Sequence, residues 1–304
     1  MTRRILTVTL NPAVDVTYRV DALRPGETVR VPDARSRAGG KGVNVAAVVR
    51  DLGGESVVLA LTTTRLPDEF RDGLDGLGLP HRLVPALPAV RRTVAVVTRA
   101  DGTTMLQENG FPADETAEAG ITAALRAELP AGAVVISGSV PEGLGDGVPA
   151  KLVRLCARHD VPVIADVSGA ALREAAGSGA VLMPNEDELK ELTGSGVEAC
   201  RDLVAAGAPA VVATLGTGGA IAVTARGAWR ARPAEVVTGN PAGAGDAGAA
   251  ALALHLSASE VDWPAALADV VATSAAAVLR PVAGEIDVAA RNRWIRAVKV
   301  ERIR

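Results

Sequence analysis

Short apolar runs and longer stretches with helical spacing alternate along most of this chain. The apolar runs predict buried strands at residues 5–10, 56–62, 133–136, 161–165, 180–183 and 210–214. Further strands are predicted near 220–224 and 228–231, with a β-like run at 234–238. The intervening stretches predict helices at 38–52, 68–77, 115–128, 147–159, 186–192 and 197–206, and two late helices, the first at 247–256. Because strands alternate with helices, we expect a largely parallel sheet covered by helices on both faces.

Another set of segments alternates apolar with polar residues and predicts strands with one exposed face. These segments are residues 14–20, 27–31, 92–99 and 103–107, the last two joined by a predicted hairpin turn at 100–102. Since such strands do not suit the centre of a parallel sheet, we expect them to form a smaller sheet standing off the main one.

Composition narrows the class of protein. The chain has 304 residues, 48% of them hydrophobic but only 2% aromatic, so its core must consist of alanine, valine and leucine. No linker or repeat divides the chain, so we expect residues 1–304 to form one domain. The net charge of −3 is mixed along the chain and does not indicate nucleic-acid binding.

Three further features predict a soluble, cytoplasmic protein. No signal peptide opens the chain, and no apolar run has the length of a membrane span. Cys156 and Cys200 are far apart in the sequence, which favours buried thiols in a reducing compartment over a disulfide or a metal site.

The glycine-rich stretch at residues 239–250 carries the clearest chemical signal. A turn that leads into a helix exposes backbone N–H groups at the positive end of the helix dipole, where an anion can bind. Asp246 would repel a passively bound anion, so it suggests a catalytic base beside an anion hole. Gly243, Gly245 and Gly248 also fit the dinucleotide pattern GxGxxG, but they lie late in the chain. A purely structural turn is the third interpretation.

Three motifs resemble the ribokinase-like sugar kinases of the PfkB family. They are GAGD at 243–246, GGKGVN at 39–44 and TLNPAVD at 9–15, the last similar to the branch that contains 1-phosphofructokinase and tagatose-6-phosphate kinase. The resemblance spans the chain in matching order. It implies a three-layer α/β/α domain with a mostly parallel central sheet, and a β lid built from about 12–37 and 90–110.

The resemblance also implies roles on the ATP side of the site. Asp246 would be the general base, and the N–H groups of Ala244, Gly245 and Asp246, with Gly243, would form the anion hole. Thr214, Gly216, Gly218 and Gly219 resemble a nucleotide loop, and residues 271–284 would flank adenine. Asn185 and Glu188 match the family's NxxE motif, which implies Mg²⁺. From the residues alone, that pair is equally a helix cap with acidic first-turn residues. The resemblance leaves open whether the protein also uses a monovalent cation.

On the sugar side, the resemblance implies that the substrate carries a phosphate. The residues expected to contact this sugar phosphate are Asp15, Gly39, Gly40, Lys41, Asn44, Arg92 and Ser139. Lys41 and Arg92 would face the phosphate. From the residues alone, Arg92 is also compatible with a solvated charge on a strand edge, and 39–44 with a flexible turn. A homodimer through the lid is expected.

Some positions depart from the family pattern. A glycine-containing GxxGxD turn is missing at 60–65, Met183 replaces a lysine, and Val94 stands where an asparagine is common. We therefore expect an ATP-dependent kinase of fructose 1-phosphate or tagatose 6-phosphate, with three alternatives kept open. These are a kinase of an unphosphorylated sugar, an NAD-dependent oxidoreductase, and a sugar-sensing protein on an inactive kinase scaffold.

Overall fold

The apolar runs assemble into one large sheet and the alternating segments into a smaller one. The computed structural model describes residues 4–98 and 102–303. Its strands are β1 (Ile5–Thr9), β2 (Ala13–Val20), β3 (Asp33–Gly39), β4 (Ser56–Thr63), β5 (His81–Leu87), β6 (Arg91–Thr98), β7 (Thr103–Gln107), β8 (Ala133–Ser137), β9 (Val163–Asp166), β10 (Val181–Leu182), β11 (Ala210–Thr214), β12 (Ala220–Thr224), β13 (Gly227–Arg232) and β14 (Lys299–Ile303).

Helices connect most of these strands. They are α1 (Lys41–Asp51), α2 (Glu69–Gly76), α3 (Ala117–Glu128), α4 (Val148–Ala157), α5 (Gly169–Ala176), α6 (Glu186–Leu192), α7 (Gly196–Ala205), α8 (Ala244–Leu256), α9 (Trp263–Val278) and α10 (Val288–Trp294). None of the helices in the described ranges is long and apolar enough to cross a membrane.

The large sheet has the strand order β14-β13-β12-β11-β10-β9-β8-β1-β4-β5. The seven strands from β11 to β5 in this order are parallel, whereas β12, β13 and β14 extend the sheet in antiparallel pairing. All seven parallel strands end at the same edge. Loops that follow them therefore meet at one place, where ligands of such sheets bind.

Helices cover the large sheet on both faces and give it two cores. One face packs against α3 to α7 through residues such as Ile121, Leu152 and Leu203. The other face packs against α1, α8, α9 and α10 through residues such as Val48 and Leu252. The protein thus has the three-layer α/β/α architecture predicted from the sequence.

The smaller sheet has the order β3-β2-β6-β7, with β2 and β6 parallel and the other pairs antiparallel. One of its faces packs against α1 and α2 through Val14, Val16 and Val94. The predicted hairpin arms pair as β6 and β7, while residues 100 and 101 of the predicted turn lie outside the described residues.

Several predicted elements differ from the structure. Residues 27–31 and 234–238 were predicted as strands, but neither segment belongs to either sheet. Conversely, β5, β14, α5 and one of the three helices α8, α9 and α10 were not predicted. The strand β14 lies at the sheet edge and is mostly exposed, so its sequence lacks the apolar pattern of a buried strand.

Candidate active site

A cleft of about 590 Å³ lies at the carboxyl edge of the large sheet, beneath the smaller sheet. Its walls come from loops that follow β1, β8, β9 and β10, from the starts of α1 and α8, and from β2, β6 and β7. The predicted site residues that line it are Asp15, Gly40, Lys41, Asn44, Ser139, Asn185, Glu188, Thr214, Gly243, Gly245 and Asp246. Segments up to 230 residues apart in sequence therefore share one site.

The start of α8 forms the floor of the cleft. Gly243 caps this helix in the left-handed region at φ 81°, and a Cβ there would lie 2.7 Å from the Ala283 Cβ. Only glycine satisfies both conditions. The Ala244 N–H donates to the Pro241 carbonyl oxygen at 3.2 Å. That bond occupies the Ala244 N–H, one of the donors expected in the anion hole, while the Gly245 and Asp246 N–H groups lie at the second and third helical positions, which have no acceptor within the helix.

Asp246 is buried at the base of the cleft. The Asn44 side-chain N–H donates to Asp246 Oδ2 at 2.8 Å. Burial raises the pKa of Asp246, while the charge of Lys41 and the Asn44 hydrogen bond oppose this shift. The carboxylate is thereby more basic than an ordinary aspartate, as a proton acceptor near neutral pH should be.

Lys41 forms an ion pair that the sequence did not predict. Its Nζ lies 2.9 Å from Asp166 Oδ1, at the end of β9. Burial raises the pKa of Asp166 to about 7, and Lys41 opposes the shift. Burial lowers the pKa of Lys41, but Asp166 and Asp246 more than compensate, so that pKa is raised. An aspartate that directly follows a buried strand was the only available sequence signal.

The sugar side of the cleft contains two residues that the sequence analysis missed. Asn11 Nδ2 donates to Ser139 Oγ at 3.0 Å and to the Asn109 carbonyl oxygen at 3.1 Å. Arg91 also lines the cleft, and its Nη1 donates to the Glu108 carbonyl oxygen at 2.9 Å. Arg91, Asn11 and Ser139 thus place a cation and polar side chains on one wall.

The structure does not place Arg92 in the cleft, which corrects the sequence prediction. Arg92 lies on the opposite face of β6, where its Nη2 contacts Glu69 Oε2 at 2.7 Å. Successive side chains of a strand point to opposite faces, so Arg91 and Thr93 face the cleft while Arg92 and Val94 face the helices. The departure from the family pattern at Val94 therefore lies outside the cleft.

Asp15 lies directly opposite Arg37 in the pairing of β2 with β3, and its side chain lines the cleft. A Cβ at Gly39 would lie only 2.2 Å from the Asp15 carboxyl group, so glycine makes room for this carboxyl. Burial raises the pKa of Asp15 to about 6, and Arg37 and Arg91 oppose the shift.

Asn185 and Glu188 form the helix cap that their spacing allowed. Asn185 Oδ1 accepts hydrogen bonds from the N–H groups of Asp187 and Glu188, and Glu188 Oε2 accepts one from the Asn185 N–H at 2.9 Å. No group of three or more His, Cys, Asp or Glu residues suited to a metal occurs within the described ranges. Within those ranges, however, Asp166 Oδ2 is buried without a hydrogen-bond partner.

A second, more apolar cavity of about 540 Å³ adjoins the start of α8. Thr214, Gly216 and Gly219 of the predicted nucleotide loop line it, whereas Gly218 does not. The expected adenine segment contributes Val271, Ser274, Ala275 and Val278. Thr214 and Gly245 line both this cavity and the cleft. The two spaces therefore meet at Thr214 and Gly245. If a nucleotide occupied the second cavity, its phosphate chain would lie at this junction.

The missing turn at 60–65 has a local substitute. Asp68, which is buried, caps α2 by accepting a hydrogen bond from the Arg71 N–H, and its Oδ2 accepts one from Thr62 Oγ1 at 2.8 Å. The other noted departure, Met183, lines the cleft.

The model for pfkB family carbohydrate kinases matches residues 8–289. A 1-phosphofructokinase from Xanthomonas campestris pv. campestris is 33% identical over 287 residues, which cover 88% of this chain and 89% of the relative. An ATP-dependent 6-phosphofructokinase isozyme 2 from Mycobacterium tuberculosis is 31% identical and covers 84% and 78%.

Among solved structures, phosphofructokinase-2 from Escherichia coli in complex with fructose-6-phosphate superposes with a TM-score of 0.87. It is 25% identical, and the match covers 97% of this chain and 98% of the other. These matches support the kinase interpretation of residues 243–248 over the dinucleotide one.

Proposed function

The chain belongs to the pfkB family of carbohydrate kinases, and we propose that it transfers the γ-phosphate of ATP to a ketohexose phosphate. Fructose 1-phosphate is the first candidate because the relative from Xanthomonas is a 1-phosphofructokinase. Tagatose 6-phosphate is the second. Fructose 6-phosphate also belongs in the test, since the relative from Mycobacterium is a 6-phosphofructokinase.

One observation supports a substrate that already carries a phosphate group. Arg91, Asn11 and Ser139 share one wall of the cleft, and Lys41 lies at its base. A guanidinium group binds two phosphate oxygens at once, and amide and hydroxyl groups complete such a site. The hydroxyls of a neutral sugar require no cation. The wall therefore suits a sugar that already carries a phosphate.

In the proposed reaction, a sugar hydroxyl oxygen forms a bond to the γ-phosphorus of ATP. The bond from that phosphorus to the bridging oxygen breaks, and ADP leaves with the electron pair. The hydroxyl proton passes to the Asp246 carboxylate. Because Oδ2 already accepts from Asn44, we assign Oδ1 as the proton acceptor. The N–H groups of Gly245 and Asp246 would stabilise charge on the transferring group.

The cleft also fits a magnesium ion held through water and phosphate oxygens, as kinases commonly hold it. Asp166 Oδ2 is a buried acceptor without a partner among the described residues, and Glu188 lines the same cleft. We propose these two carboxylates as outer ligands, whereas Asn185 Oδ1 is occupied by its cap. When bound, Mg²⁺ would neutralise charge on the phosphates.

We further propose that residues 1–304 form a single kinase domain and that the smaller sheet acts as its lid. This sheet covers the cleft with β2, β6 and β7, so it could exclude water from the phosphoryl donor. The lid also exposes Leu106, which is 57% accessible, and we propose that the lid pairs with a second copy there. Light scattering that gives the mass of one chain would contradict this dimer.

The substrate class is tested by measuring ADP release with a panel of sugars. We expect turnover with at least one of fructose 1-phosphate, tagatose 6-phosphate and fructose 6-phosphate, and little with fructose or tagatose. Full activity on the unphosphorylated sugars with none on their phosphates would overturn the proposal.

Arg91 and Arg92 provide a matched pair of variants for the same assay. A charge-assisted contact corresponds to roughly 10- to 150-fold in binding. Arg91→Ala should raise KM for the phosphosugar by about that factor and leave KM for ATP nearly unchanged. Arg92→Ala removes only an exposed ion pair, so both constants should stay near those of the parent. Equal losses for both substrates in Arg91→Ala would indicate a general structural role.

A further inference from the structure

Arg37 is not among the residues that line the cleft and has no role in the reaction as proposed above. It is the residue of β3 directly opposite Asp15 in the strand pair. Its side chain is half-buried, and within the described ranges its Nη2 atom is buried without a hydrogen-bond partner. A guanidinium group withdrawn from water in this way needs an explanation.

Gly284 shows where this side chain leads. A Cβ added to Gly284 would lie 2.9 Å from Arg37 Nη2 and also 2.9 Å from Asn44 Oδ1. Any other residue would therefore strike both side chains, and Gly284 has the positive φ of 79° that favours glycine. The backbone at Gly284 thus allows Arg37, from the smaller sheet, and Asn44, from α1, to approach each other.

The two converging atoms are chemically complementary. Asn44 Oδ1 is likewise buried without a hydrogen-bond partner in the described part of the chain. Arg37 Nη2 is a donor and Asn44 Oδ1 an acceptor, and leaving both unpaired is costly. A hydrogen bond between these two atoms would satisfy both.

The far end of the Asn44 amide contacts the reactive carboxylate. Asn44 Nδ2 donates to Asp246 Oδ2 at 2.8 Å. An amide group is planar, so a partner that fixes the oxygen also fixes the direction of the N–H groups. We propose that Arg37 is a positioning residue that pairs with Asn44 Oδ1 and thereby holds the Asn44 amide against Asp246. This inference rests on the proposed function of the cleft.

The charges around Arg37 support its position. Asp15 on β2 and Glu285, next to Gly284, attract the guanidinium, as does Asp51 of α1, while Arg50 of the same helix repels it. Arg37 could instead act through Asp15, by keeping that carboxylate ionised for sugar binding. The two routes make different predictions, because one passes through Asn44 and the other does not.

A double-mutant cycle distinguishes these routes. We expect Arg37→Ala to lower kcat by about 10- to 100-fold, with KM for ATP unchanged. If Arg37 acts through Asn44, the double variant Arg37→Ala, Asn44→Ala should be no slower than Asn44→Ala alone. Effects that multiply, or a change confined to KM for the sugar phosphate, would overturn the proposal.

Arg35→Ala is the matched control. Arg35 lies on the same strand but is 75% exposed and pairs only weakly with Asp33 at 3.4 Å. Its removal should leave kcat and both KM values at those of the parent. An equal loss of kcat in this variant would show that β3 tolerates no substitution and that Arg37 has no particular role.

A second measurement reports on the mobility of the Asn44 side-chain amide and does not require turnover. The chain contains six asparagines, so ¹⁵N-asparagine labelling gives few side-chain signals, and Asn44→Ala identifies the one from Asn44. In Arg37→Ala the heteronuclear NOE of the Asn44 side chain should fall, because the amide is released, and in Arg35→Ala it should not. An unchanged NOE would refute the pairing. Failure of the proposed base appears separately, as an Asp246→Asn variant that keeps its kcat.

Discussion

At the residue scale, burial raises the pKa of three aspartates that line the cleft. Asp15, Asp166 and Asp246 all line this space, with Lys41 and Arg91 as the cations opposite them. A site of this kind favours protonation changes near neutral pH, because desolvation and nearby cations oppose each other. The roles of the three carboxylates can be separated by substitution.

The first prediction concerns the base. Asp246→Asn keeps the shape and the possible contact to Asn44 but cannot accept a proton. We expect kcat to fall by about 10²- to 10⁴-fold, while the thermal midpoint and ATP binding stay near those of the parent. Steady-state kinetics and calorimetry measure both. Near-normal kcat in the purified variant would refute the role of Asp246.

The second prediction concerns Asp15 and pH. Its pKa is about 6 in the folded protein, whereas an unfolded aspartate titrates near ~3.9. Between these values the folded state binds more protons, so its stability falls as the pH rises. Asp15→Asn removes this dependence. As the pH rises from about 4 to about 7, the parent should therefore lose about 3 kcal/mol of unfolding free energy relative to the variant.

Urea titrations across this range test the pH effect, with Asp33→Asn, a half-buried position on β3 outside the cleft lining, as the control. A difference between Asp15→Asn and the parent that does not vary with pH would contradict the assignment.

At the scale of elements, the starts of two helices form the reactive end of the cleft. Helices α1 and α8 pack side by side and begin at glycine caps, Gly40 and Gly243. This packing brings Asn44 to Asp246, although the two residues are far apart in sequence. In the same helix layer, α8 packs against α9, and α9 packs against α10.

Asp269 of α9 joins these three helices. It accepts hydrogen bonds from Arg291 Nε of α10 at 2.9 Å and from Thr273 Oγ1 at 2.8 Å, and it lies 3.1 Å from His255 Nε2 of α8. Burial raises the pKa of Asp269, but the bonds from His255 and Arg291 outweigh it, so the pKa is lowered. The carboxylate is therefore a charged centre of the helix layer.

The third prediction follows from this cluster. Asp269→Ala leaves Arg291 without its buried partner, which should cost about 3–5 kcal/mol in the free energy of unfolding. Urea denaturation measures this loss. Arg293→Ala, an exposed substitution on the same helix, should change stability by no more than about 0.5 kcal/mol. A loss below about 1 kcal/mol in Asp269→Ala would show that the cluster contributes little.

At the scale of the whole molecule, two apolar cores hold the large sheet. The cleft is instead shared between the large sheet and the smaller one, and only their relative placement makes it a site. Fold stability and catalysis should therefore respond differently to the removal of divalent ions.

The fourth prediction tests this separation. EDTA should stop phosphoryl transfer and leave the thermal midpoint unchanged, and excess Mg²⁺ should restore activity. Glu188→Gln should raise the Mg²⁺ concentration needed for half activity, because one outer carboxylate is lost. Glu191→Gln, on the exposed side of α6, should not. Unfolding by EDTA would contradict the independence of the fold from divalent ions. An unchanged Mg²⁺ titration in Glu188→Gln would contradict the role of Glu188.

Much of the large sheet could be predicted from the sequence. Strands such as β1, β8 and β11 are short runs of apolar residues, and a fully buried parallel strand requires such a run. The motifs at Ser139 and Asn185 closely follow β8 and β10, and parallel strands end at one edge, so their convergence could be expected before the structure. Lys41 and Asn44 instead follow β3 of the smaller sheet, and Asp246 follows an irregular segment after β13, so only the packing of the two sheets brings them to the same cleft.

The remaining parts of the site depended on partners that sequence does not reveal. Whether Arg91 or Arg92 enters the cleft is decided by which face of β6 packs against the helices. Asp166 became a candidate only because Lys41 lies 2.9 Å away after 125 residues of chain. Residues 27–31 have the alternation of a strand but belong to neither sheet. Periodicity reports how each residue is buried locally, whereas pairing, strand facing and ion pairs are fixed only when distant segments pack together.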